Sequence, residues 1–148
     1  MVPVSEQSSD ASETALAEKI REALVVDDPD EDELVSSLEG VVEIVDGSWR
    51  IVVHDEIEER EPKDRVFTYL LAKYAAARLS DGESPMAATR EELYQHFDRG
   101  LVKDICKHGW VRHWDGNVQI RPQFYSHTAA ELNALYVDMD TDQRGGEL

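Results

Sequence analysis

Apolar residues recur at three- and four-residue steps along several stretches of this chain, the spacing of one face of an α-helix. The longest such stretch covers residues 64–79, where Val66, Phe67, Leu70, Leu71, Tyr74 and Ala77 line up and Ala75, Ala76 and Ala77 allow a neighbour to approach closely. Pro62 suits the start of that helix. Residues 13–26 carry Leu16, Ile20, Ala23 and Leu24 as a single stripe on an otherwise charged surface. Residues 33–39 form a further short helix. Thr89, with Glu92 three residues on, is a capping box; Leu93, Tyr94 and Phe97 give the helix behind it an apolar face. Asp98-Arg99-Gly100 reads as a break. Leu101, Val102, Ile105 and Cys106 then resume the helical step, and Gly109 reads as the stop. A last helix starts from a cap at Ser126 or Thr128 and reaches Val137 through Ala129, Leu132, Leu135 and Tyr136.

Two other stretches read as hairpins. Residues 41–45 and 49–53 are β-rich runs joined by Asp46-Gly47-Ser48, and the strands of residues 110–114 and 118–121 are joined by Asp115-Gly116-Asn117. A lone two-stranded hairpin is barely stable in water, so the first must pack on the helices that follow or on a second copy. Residues 27–33, 54–62 and 80–88 read as an acidic turn, a charged connector and a loop. The expected fold class is therefore mainly helical α+β. Its division is a polar lead-in over 1–12, an acidic helix and β-hairpin segment over 13–59, a second domain over 60–138, and an acidic tail over 139–148.

From Thr89 to Pro122 the order is helix, turn, helix, strand, tight turn, strand. This arrangement resembles a winged helix-turn-helix over residues 64–138, and the string from Lys103 to Ile120 carries most of the likeness. The resemblance implies that the second helix enters a DNA major groove while the hairpin, as a wing, touches the backbone. The function it implies is a transcriptional regulator that binds double-stranded DNA as a homodimer, since small winged modules use two half-sites. Such modules also serve as protein adaptors, here with the acidic N-terminal segment contacting a partner or mimicking DNA. A third reading makes the first hairpin part of a ligand-sensing pocket.

Charge sharpens the picture. The 148 residues carry a net charge of −17, with 32 acids against 15 bases. This acid-rich, lysine-poor composition resembles the haloarchaeal type that a salt-saturated cytoplasm favours. It is unevenly spread: residues 1–59 hold 18 acids and three bases, residues 60–127 hold nine acids and 11 bases, and residues 128–148 hold five acids and one base. Positive charge is thus retained in the helix-turn-helix region alone. The candidate DNA-binding residues are Arg90, Arg99, Lys103, Lys107, His108, Arg112, Asn117 and Arg121, because arginine and lysine contact phosphates and arginine reads guanine edges. Asp115, at the hairpin tip, repels phosphate.

Other chemistry finds little footing. No GxSxG, P-loop, GxGxxG or HExxH pattern occurs, so the chain is not expected to be an enzyme. Cys106, His108, His113 and His127 do not have the spacing of a zinc site, and no cofactor is expected. Cys106, on the apolar side of its helix, reads as a small buried hydrophobe. With no signal-peptide pattern and no apolar run long enough to span a bilayer, a cytoplasmic protein away from membranes is expected.

Overall fold

The computed structural model describes residues 15–20 and 28–137. The described chain is a mainly helical α+β fold with two small antiparallel sheets. Residues 15–20 are helical and exposed, Leu16 and Ile20 included; the rest of the stripe expected over 13–26, with the lead-in and the acidic tail, lies outside the described residues. Helix α1 (Glu31–Leu38) begins earlier than the apolar pattern suggested, because the Asp30 side chain accepts from the Glu33 amide and caps it. Strands β1 (Val42–Ile44) and β2 (Ile51–Val53) form the first hairpin, with Val42 opposite Val53. Trp49 in its turn takes a left-handed backbone, φ 59°. The charged connector coils into a 3-10 turn, Asp55–Glu59.

Helix α2 (Pro62–Leu79) is the axis of the molecule. Its residues from Val66 to Tyr74 are all buried, so this stretch is covered on every side. The first hairpin and α1 pack on part of its surface; the later helices and the second sheet take the rest. One continuous core results, running from Leu38, Val42 and Ile51 through Phe67, Tyr69, Leu70 and Leu71 to Leu93, Val102, Ile120 and Leu132. The first hairpin thus gains the partner that its size demanded.

The expected loop over 80–88 ends in a strand, β3 (Ala88–Thr89). Two short helices follow, α3 (Arg90–Tyr94) and α4 (Arg99–Cys106), then β4 (Val111–Trp114) and β5 (Asn117–Ile120). The second sheet has the order β3-β5-β4, all antiparallel. Asp115 and Gly116 both have positive φ, 45° and 80°, which gives β4 and β5 the twist-matched two-residue turn. Three expectations about boundaries are corrected here. Asp98-Arg99-Gly100 does not simply break a helix: Asp98 accepts from the Gly100 amide and starts α4. The helix stops at Cys106 with Lys107 as a right-handed cap, so Gly109 supplies no left-handed stop. The final helix, α5 (Tyr125–Leu132), starts at Phe124 without a side-chain cap; Thr128 instead donates its hydroxyl to the Phe124 carbonyl from inside the helix. A wider turn, Asn133–Val137, completes it.

Candidate nucleic-acid interface

Helix α4 buries Val102 and Ile105 and leaves Arg99, Lys103, Asp104 and Lys107 in solvent. Arg99, Lys103 and Lys107 are spaced by four, so the three cations form one stripe along the helix. Helix α3 stands beside it. Its capping box is complete: the Thr89 hydroxyl accepts from the Glu92 amide, and the Glu92 carboxylate accepts from the Thr89 amide. This fixes the first residue of α3, Arg90, whose own amide donates to the Gly116 carbonyl at 2.8 Å. The tip of the β4–β5 hairpin is therefore tied to the start of α3.

The Arg90 side chain turns toward β4, where its Nη2 lies 3.2 Å from His113 Nδ1. A guanidinium can only donate, so Nδ1 accepts and the ring carries its proton on Nε2. The Arg90 Nε is buried and without a hydrogen-bond partner. Arg99 lies over the Tyr94 ring, 4.6 Å from its centroid. Arg90, Tyr94, Val102, Lys103, Cys106, Lys107 and His113 together line a depression of about 200 Å³. No carboxylate lines it. Three larger depressions elsewhere on the described surface are different, each bordered by several acids: Glu39, Glu56 and Glu59; Glu83, Glu91 and Glu92; Asp55, Glu58 and Asp98. Among the described residues, none of Arg90, Arg99, Lys103 and Lys107 forms an ion pair.

The structure thus brings together four of the eight sequence candidates and separates the others. His108 turns inward, its ring edge-on to Phe67 and to Trp110 at 5.0 Å. Burial lowers its pKa, and Lys63 adds to this while Glu131 opposes it. Arg112 sits on the opposite face of the sheet from His113, over the Trp114 ring at 4.5 Å and donating to Gln119 Oε1. Asn117 is a half-buried strand residue paired with Thr89 and Trp114, not a tip residue. Arg121 lies one position past β5, exposed, and precedes a 3-10 turn. His113 was missed as a candidate, although alternation from buried Val111 places it on the side facing α3 and α4.

Cys106 is half-buried at the edge of the core. No group of three or more His, Cys, Asp or Glu among the described residues could hold a metal ion, and no described helix is long and apolar enough to cross a membrane. Among the described residues, the exposed large apolar side chains are Leu16, Ile20, Val35, Leu79, Met86, Trp114 and Leu135, so none lies on α4. Neither a family model, nor a curated protein, nor a solved structure matches this chain.

Proposed function

We propose that this protein is a DNA-binding transcriptional regulator of winged-helix type, acting without catalysis in a salt-rich cytoplasm. The observation that carries the reading is the unpaired cationic face of α3 and α4. In a chain of net charge −17, cations that face solvent and form no ion pair with a carboxylate are expected to serve an anionic partner. The order helix, strand, two short helices and hairpin, with β3 on the outer edge of β5, supports the winged-helix assignment. In this reading α4 approaches the major groove, and the β4–β5 hairpin, bearing Arg112, flanks it as the wing. Two copies on two half-sites form the bound state.

The adaptor reading, in which the acidic N-terminal segment contacts a partner or mimics DNA, would gain from exposed apolar surface on α4, and α4 presents charge instead. The test is titration of random-sequence and genomic duplexes across a salt series, with Lys103→Glu/Lys107→Glu beside wild type. Wild-type binding that weakens with salt and disappears in the double variant supports the proposal. A folded wild type that binds no duplex even at low salt overturns it and moves the search to a protein partner.

A further inference from the structure

We infer that the depression between α3, α4 and β4 is a preformed site for one tetrahedral oxyanion, a phosphate group, held by Arg90, Lys107, Lys103 and His113. The inference deepens the DNA reading and rests on it for the natural ligand, a backbone phosphate. The site has its own physical signature. Three cationic side chains and one imidazole border a space of about 200 Å³ that has no acid in its wall. The floor, from Tyr94, Val102 and Cys106, is largely apolar and lowers the local dielectric, which strengthens a charge-assisted contact. Arg90 is only half used: Nη2 meets His113, and the buried Nε meets nothing. A guanidinium presents Nε–H and Nη–H as a fork that matches two oxygens of one phosphate. An oxyanion that draws Arg90 a short way outward satisfies the unmet donor, while Lys103 and Lys107, one helical turn apart, close on the remaining oxygens. The contact is to phosphate, so it positions the protein on the duplex without reading its sequence.

The experiment has two arms. In the first, wild type, Arg90→Gln, Arg90→Lys, Lys107→Gln and a control, Arg50→Gln on the first hairpin, are titrated with inorganic phosphate at low ionic strength. Chloride at matched ionic strength is the reference, and amide and imidazole NMR signals are followed. Wild type and the control are expected to show saturable shifts confined to α3, α4 and β4. Arg90→Gln and Lys107→Gln should weaken binding at least about tenfold, and Arg90→Lys should fall between, since it keeps the charge and loses the fork. Lys107 is exposed, so its variant carries the test even if Arg90→Gln fails to fold. Shifts no greater with phosphate than with chloride, or an equal loss in Arg50→Gln, overturn the site.

In the second arm the same proteins bind DNA duplexes. Arg90→Gln should weaken every sequence by the same factor and lower the slope of log K against log salt by about one. Wild-type DNA binding that Arg90→Gln leaves intact overturns the phosphate site and leaves the DNA reading standing. Saturable phosphate binding in a protein that binds no duplex supports the site, removes the DNA reading, and assigns the pocket to a free phosphorylated ligand.

Discussion

Glu92 serves three neighbours at once. One carboxylate oxygen accepts from the Thr89 amide, while the other accepts the Tyr69 hydroxyl at 2.5 Å and sits 3.2 Å from Lys73 Nζ. Lys73 is almost wholly buried, so removing its partner strands a charge in low dielectric. Glu92→Ala should therefore cost about 3 kcal/mol in urea unfolding, more than a lost cap alone explains. Adding Lys73→Met should recover most of it, and a double variant as unstable as the single one would assign the loss to the cap instead. Tyr125 makes a pH-dependent contribution. Burial pushes its phenol up to about 12, against the opposing hydrogen bond from Gln119 Nε2. A phenol raised in the folded state stabilises fully below its ordinary pKa of about 10, and that contribution is lost as pH climbs through the folded value. Tyr69 is shifted in the same direction, again by burial first. The free energy of unfolding should thus fall between about pH 10 and 12, by about 2–3 kcal/mol from Tyr125 alone, and the melting temperature should fall with it. Tyr125→Phe should show a shallower decline over the same window; an identical decline would place the loss elsewhere.

At the level of elements, the β4–β5 turn couples hairpin to helix. Gly116 has φ 80° and its carbonyl holds the Arg90 amide. Gly116→Ala forces a side chain into left-handed backbone at a cost of about 1 kcal/mol. Because the same residue positions Arg90, DNA affinity should fall as well, whereas a change in stability without any change in affinity would uncouple the two. Features of short sequence range were legible beforehand: the Thr89/Glu92 box, Pro62 opening α2, both DG turns and the apolar steps that became the core. Those that depend on a distant partner were not. Ala88 and Thr89 are a strand only because Val118 and Asn117 lie beside them, and two residues are too few to show alternation. Asp98 reads as a breaker in isolation and proves a cap because α4 resumes at the next residue. His108 looked like a surface group beside Lys107, yet Phe67 and Trp110 draw it inward. The separation of Arg112 from His113 follows from strand alternation, which assigns neighbours to opposite faces.

For the whole molecule, salt acts in two opposite directions. Net charge of −17 repels itself across a small body, so screening should stabilise the fold. Melting temperature is expected to rise steadily from about 50 mM to molar potassium chloride, as the Debye length shrinks from somewhat above 10 Å to about 3 Å. DNA binding through the α3–α4 face should move the other way, because each neutralised phosphate releases counterions that added salt drives back. Four cations, Arg90, Arg99, Lys103 and Lys107, imply a slope of about −3.6 in log K against log salt for one bound copy. That is roughly a hundredfold loss of affinity between 50 and 200 mM. Two copies on one site double the slope to about −7, so the same titration measures how many protomers bind. A slope near zero with a rising melting temperature would mean that the cations face something other than nucleic acid. A slope matching one copy would keep the interface and remove the dimer. The opposition also bears on how such a protein works in concentrated salt: as the phosphate term shrinks, groove contacts and bridging water must supply a growing share of affinity. The exposed face of α4, with Asp104 beside the cations, is where those contacts have to be made.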